Sequence, residues 1–242
     1  MAGRSRFLLL IIVTLAIVSC ESQDKASVPV KKPAPLVIVK PKPKMMTVAQ
    51  KSELGFPPEL IARVEEAAKA SAEPFYEEVM IRSANLKGDV MIASAKLAGF
   101  SVRTQDAERL IEELSSSVRK DGFLIFRSQH NFGSVPDVVT VVRGDSSYDI
   151  LVIQKTESPH HNLDTKKIIA WLRKQQKAAS FVITGAGADW LEARFVKPPK
   201  NLNAFAQSIA SFAPDVLAEN NGTIEKLADT MKRTDGFTLW WD

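Results

Sequence analysis

Apolar residues recur at helical spacing in several stretches. After Pro57-Pro58-Glu59 come Leu60, Ile61, Val64, Ala67 and Ala68. Proline suits a first helical turn, so a helix is predicted to start there and to end or kink at Pro74. Thr104 opens a second pattern with Ala107, Leu110, Ile111, Leu114 and Val118 on one face, stopped by Asp121-Gly122. Asp164-Thr165, Asn201 and Thr223 each precede a further amphipathic run, as N-cap residues do. Residues 75–97 give no single period; a helix fits best from Val90 to Leu97.

Other stretches read as strands. Phe100-Ser101-Val102 is a short one. Phe123 to Phe126, Val138 to Val142 and Tyr148 to Ile153 are apolar on both faces, as interior strands are. Phe181 to Thr184 ends at Gly185-Ala186-Gly187. Trp190 to Val196 alternates, with Leu191, Ala193 and Phe195 on one face, until Pro198-Pro199 breaks it. Asp235-Gly236 turns into a last strand, where Phe237, Leu239 and Trp241 share one face and Thr238, Trp240 and Asp242 the other. From Tyr148 the order is strand, helix, strand, strand, helices, strand. That is a split βαβ order, ferredoxin-like βαββαβ. The expected fold class is α+β: a mixed sheet with this order in its C-terminal part, preceded by helices and extra strands. Strands apolar on both sides need two covers, so a layered domain follows.

The first residues carry a different signal. Arg4 and Arg6 precede an apolar run from Phe7 to Val18, and Ile17-Val18-Ser19-Cys20 closes it. A basic start, a short apolar region and small residues before a cut site make a secretory signal. The run is shorter than the roughly 20 apolar residues of a membrane span. A cysteine directly after the cut makes the pattern that of a lipoprotein: residues 1–19 as signal peptide, Cys20 as the acylated anchor. Glu21 and Ser22 follow; without Asp after the cysteine, the outer membrane facing the periplasm is the expected address in a two-membrane bacterium.

Residues 20–44 then read as a Pro/Lys-rich tether. Val28 to Pro35 and Lys40-Pro41-Lys42-Pro43-Lys44 favour an extended, polyproline-like chain, reaching roughly 75 Å at about 3.1 Å per residue. Leu36-Val37-Ile38-Val39 between them is too short and too Pro-flanked for a strand. Residues 45–99 are expected as a helical N-terminal extension, and 100–242 as the α/β domain.

Charge changes the picture. The chain's formal net charge is +4, but residues 1–44 hold eight of its 32 Lys/Arg and two of its 28 Asp/Glu. The remainder is slightly acidic. A nucleic-acid face is therefore not expected. The only cysteine is Cys20, which excludes thiol catalysis and cysteine-ligated metal in the exported part. His160-His161 sit in a loop and point apart, so no metal and no cofactor is expected. There is no Gly-x-Ser-x-Gly elbow. Gly185-Ala186-Gly187 lacks the third glycine and helix start of a phosphate cradle.

Several C-terminal pieces, in this order, resemble a bacterial family. They are Gly122-Phe123-Leu124-Ile125-Phe126, Asn131-Phe132-Gly133, Tyr148-Asp149-Ile150-Leu151, Phe212-Ala213-Pro214-Asp215, Asn221 to Ala228, and Leu239-Trp240-Trp241-Asp242. Together they resemble the domain-of-unknown-function family numbered 4253, over roughly Phe100 to Asp242. Members often carry Cys before the Pro-Asp pair; Ala213 here tells against an essential thiol. The family has no established activity, so the resemblance implies a domain and no function.

The candidate ligand contacts are Asn131, Tyr148, Asp149, Trp190, Asp215, Trp240 and Asp242. A groove lined by Trp190, Trp240, Asp149 and Asp215 is the functional expectation, against Trp240 and Trp241 both packed between layers with Asp242 solvated. The expected role is a lipid-anchored envelope protein that binds or protects. Its partners would be the membrane, through Cys20, and an unknown protein or cell-wall ligand. A hydrolase using paired carboxylates and an immunity-type inhibitor of a toxin remain open.

Overall fold

The structure is a computed structural model and describes residues 45–82, 91–220 and 222–241. The signal, Cys20, the tether with Leu36–Val39, and Asp242 lie outside the described residues. Helices α1 (Val48–Leu54) and α2 (Pro58–Ala68) come first, then strands β1 (Glu73–Arg82) and β2 (Met91–Thr104). Next are α3 (Ala107–Lys120), β3 (Phe123–Gln129), β4 (Asp137–Arg143), α4 (Asp149–Gln154) and α5 (Thr165–Gln175). The chain continues with β5 (Ser180–Ala186), β6 (Trp190–Lys197), α6 (Leu202–Phe212), α7 (Val216–Glu219), α8 (Ile224–Thr234) and β7 (Gly236–Trp240).

The seven strands of the described residues form one sheet in the order β1-β2-β4-β3-β5-β6-β7. Among the described residues only β3 and β5 pair in parallel; the other strand pairs are antiparallel. The sheet is mixed and the fold is α+β, as expected. Successive side chains of β3 go to opposite sides. Phe123 and Ile125 join a core with Leu60, Val64, Leu110 and Val118 of α2 and α3. Leu124 and Phe126 join another with Ile150, Ile168, Leu172, Ile209 and Met231 of α4, α5, α6 and α8. Helices thus cover both faces, which is why β3 and β4 are apolar on both sides.

The caps read from the sequence hold α5, α6 and α8. Asp164 accepts from the Lys167 amide (2.8 Å), Asn201 from the Ala204 amide (2.9 Å) and Thr223 from the Lys226 amide (3.2 Å). Each satisfies an amide that the helix itself leaves unpaired. For α3 the cap is Asp106; Thr104 is the last residue of β2 and its hydroxyl accepts from the Asp106 amide.

Three expectations are corrected. Tyr148 to Ile153 is a helix, α4, not a strand. A short run apolar all round fits a buried helix as well as a buried strand. The Asp149 carboxylate decides locally, accepting from the amides of Asp145 (3.2 Å) and Ser146 (3.0 Å) and closing the turn into α4. Val90 to Leu97 is not helical. Its described part, from Met91, belongs to β2, which pairs with β1 over Met91–Ser101 and with β4 over Gly99–Thr104. Pairing on both sides overrides the helical propensity of its Ala, Lys and Leu. Residues 45–99 are therefore not only helical, and β2 runs across position 100 into the same sheet. The expected βαββαβ order began at Tyr148, so its first strand is lost with α4, and the strand before α4 in the chain is β4. In space β5, β6 and β7 are consecutive neighbours, while β4 lies between β2 and β3.

Candidate functional site

Helices cover only part of each sheet face. On β5, β6 and β7 the side chains Phe181, Ile183, Leu191, Ala193, Phe195, Phe237 and Leu239, and Trp241 just after β7, are buried against the α4–α8 layer. Their alternates face the α3 side: Val182 and Thr184, then Trp190, Glu192 and Arg194, then Thr238 and Trp240. They are half-buried or, at Thr238, exposed. Most of them, with Ile111 and Ser115 of α3 and Thr230, Arg233 and Thr234 of α8, line a cleft of about 550 Å³.

Two of the lining residues, Arg127 and Glu192, belong to a half-buried ionic group. The Arg127 side chain, 13% exposed, donates from Nη1 to Glu192 Oε2 at 2.7 Å. Its Nε lies 3.1 Å from Asp137 Oδ2. Burial pushes the Glu192 carboxyl above its ordinary value and outweighs the lowering by Arg127; the charges of Asp137 and Glu108 raise it further. Gly185 makes room for this arrangement. A Cβ there would stand 2.5 Å from Glu192 Oε1. Beside it, Arg194 ties β6 to α3 by pairing with Glu108 and, at 3.2 Å, with Glu112.

Aromatic rings lead to the cleft. Trp190 and Trp240 are direct cross-strand partners. The Trp190 indole lies over Gly187, where a Cβ would meet its Nε1 at 2.2 Å. His130 is 6.4 Å from Trp190 and stacks on Phe132 at 4.2 Å. Phe132 is 80% exposed and has φ +50°. A bulky residue in that region is strained. The loop enforces it: Asn131 receives Ser134 N–H and Oγ–H on its carbonyl, donates its own amide to Asp137 Oδ1, and donates from Nδ2 to the Pro136 carbonyl.

Of the residues expected from sequence, Trp190 and Trp240 come together. Asn131 braces the loop that carries Phe132. Tyr148 packs on the opposite core, its ring 5.4 Å from the Arg173 guanidinium, and burial raises its phenol pKa. Asp149 closes the turn before α4, and neither it nor Asp215 lines the cleft. Cys20 and Asp242 lie outside the described residues.

Asp215 takes part in a second arrangement. Ser158 Oγ is 2.9 Å from His161 Nδ1, and His161 Nε2 is 3.9 Å from Asp215 Oδ2. The order suggests a nucleophile, base and acid. Ser158 is only 2% exposed, however, and its backbone bridges Leu163 in both directions, so this is a clamp between loops. Among the described residues no His/Cys/Asp/Glu group is placed to hold a metal ion.

Arg127, Glu192, Arg194 and Phe132 escaped the sequence reading. The signal for Glu192 and Arg194 was in the alternation of Trp190 to Val196, whose polar positions belong to the same face as Trp190. Arg127 and Asp137 carry no local signal, because only the β3–β4 pairing brings them together.

Residues 138–242 match the family described as Domain of unknown function (DUF4253). The matched part begins in β4 and contains α4 to α8 and β5 to β7. Arg127, His130 and α3 precede it. Among curated proteins and solved structures, nothing matches the chain.

Proposed function

We propose that this is a lipid-anchored envelope protein whose domain binds a ligand in the cleft between α3 and the open face of β5–β7. Acylated Cys20 and the Pro/Lys tether would hold the domain away from the lipid. The observation that carries the binding reading is the engagement of the cleft's half-buried carboxylate, Glu192. Glu192 on the cleft wall and Asp137 outside its lining both pair with Arg127, whose guanidinium bridges the space between them. A hydrolase with paired carboxylates needs that space for substrate or water. A tryptophan, Trp240, with the arginines Arg127, Arg194 and Arg233 lining a cleft is instead what binding surfaces use.

The hydrolase reading keeps one supporting observation, the raised pKa of Glu192. The two readings separate in one experiment. Wild-type protein and Trp240→Ala are used to capture ligands from envelope extracts, with bound species identified by mass spectrometry. Species held by the wild type and lost from Trp240→Ala are expected. Identical captured sets would sink the cleft as the binding site, and turnover of a captured species would favour the hydrolase.

A further inference from the structure

The two edges of the sheet are built differently. An exposed strand edge is a template for another chain, and proteins guard it with charge, proline and bulges. β1, at one end, has all three: Glu73 and Glu77, Pro74, and a register shift between Phe75 and Tyr76. β7, at the other end, is Gly236-Phe237-Thr238-Leu239-Trp240. It has no charge, no proline and an unbroken register with β6.

The direction of the β7 backbone follows from two bonds. Trp241 N–H donates to the Asp189 carbonyl (3.0 Å) and Phe195 N–H to the Asp235 carbonyl (2.8 Å). Antiparallel pairs alternate between bonded and non-bonded positions. Leu239 and Phe237 therefore bond to β6, and Gly236, Thr238 and Trp240 turn their N–H and C=O groups outward. No described residue hydrogen-bonds to those outward groups. The same three residues line the cleft, together with Arg233 of α8.

We propose that the cleft's occupant is an extended segment of a partner protein that adds to β7 as an eighth strand. This rests on the cleft being the binding site. Main-chain hydrogen bonds to Gly236, Thr238 and Trp240 supply register, and alternate side chains supply specificity. One side chain falls over the Trp240 ring and is apolar. Another faces Arg233, which is exposed and has no ion pair among the described residues, and is acidic. A single strand fits better than a second copy of this chain. The free edge lies in a recess walled by α8 and α3, and a second β7 would bring the same walls with it.

The test is a selection of random linear peptides displayed on phage against the full-length chain in detergent, followed by affinity measurements. Enriched peptides are expected to carry an apolar and an acidic residue and to protect the amides of Gly236, Thr238 and Trp240 from hydrogen exchange. Thr238→Pro removes an outward N–H that bonds to nothing in β6, and proline is tolerated on edge strands. It should weaken binding at least tenfold, whereas Thr238→Ala, which keeps the backbone donor, should not. Matched far-ultraviolet dichroism and melting of the two variants would establish that Thr238→Pro is folded. If Thr238→Pro misfolds, hydrogen exchange on the wild type decides alone. Binding abolished by Trp240→Ala but unchanged by Thr238→Pro would overturn strand addition and leave the cleft as a binding site. Binding unchanged by both would overturn both readings. A lack of enriched peptides, or a concentration-dependent dimer that Thr238→Pro abolishes, would also overturn the peptide assignment.

Discussion

Trp190 on β6 and Trp240 on β7 stand opposite each other on the face of the sheet that helices leave open. One residue further along, Trp241 turns to the other face and is 2% exposed, its ring 6.0 Å from Phe212. Trp240, half-buried, packs only against the margin of the core in which Trp241 is enclosed.

Their alanine variants should separate accordingly. Trp241→Ala removes a filled core position and should cost about 3–5 kcal/mol, a large share of a domain's roughly 5–15 kcal/mol. Trp240→Ala should cost less than about 2 kcal/mol and act mainly on ligand capture. Thermal or denaturant melts of both variants check this. A larger loss for Trp240→Ala would mean that the open face is part of the core.

Glu192 links the cleft to pH. Its carboxyl binds a proton more tightly in the fold than in the unfolded chain, because burial disfavours the charge. Its stabilising contribution is full below its ordinary value of 4.5 and is lost as pH rises through the raised folded value. Glu192→Gln cannot titrate and keeps an acceptor for Arg127. Relative to wild type, its melting temperature should therefore rise as pH goes from about 4 to about 8. A constant difference, or one that shrinks with pH, would show that Arg127 compensates for the burial.

How far the sequence could be read follows from the range of each interaction. Asp164, Asn201 and Thr223 were readable as caps because a cap acts within three residues. The faces of β6 and β7 were readable because alternation is local. Tyr148 to Ile153 was not, since an apolar run of six fits either a strand or a helix. The β1–β2 hairpin and the Arg127–Asp137–Glu192 group depend on strand pairing, and no window of the chain contains both sides of it. Of the groove expected from Trp190, Trp240, Asp149 and Asp215, Trp240 lines the cleft and Trp190 is its cross-strand partner, while the two aspartates hold loops elsewhere.

Cys20 can be tested independently of the fold. Cys20→Ser should abolish incorporation of a fatty-acid probe and block cleavage before residue 20, leaving a longer chain on a gel. Equal labelling of mutant and wild type would end the lipoprotein reading. Membrane association would separate with it, because a single weak anchor does not hold a protein on lipid whereas two or more acyl chains do.

The centre of the sheet holds a polar contact that a core of valines would not need. Thr140 on β4 is fully buried, and its Oγ1 lies 2.7 Å from Ser101 Oγ on β2 and 2.6 Å from Ser128 Oγ on β3. The three hydroxyls cross three neighbouring strands on one face. Ser101 itself is only 6% exposed, so water does not readily replace a lost partner. Thr140→Val keeps shape and β-branching but removes the shared hydroxyl. It should cost about 1–3 kcal/mol, the penalty for a buried polar group left unpaired. Ser101→Ala in the same background removes the orphaned group and should recover part of that loss, since deleting both partners costs less than deleting one. The double-mutant cycle, read by chemical denaturation, measures the coupling directly. Additive losses would show that the hydroxyls do not depend on one another, and the row would then be a consequence of strand register with no share in holding it.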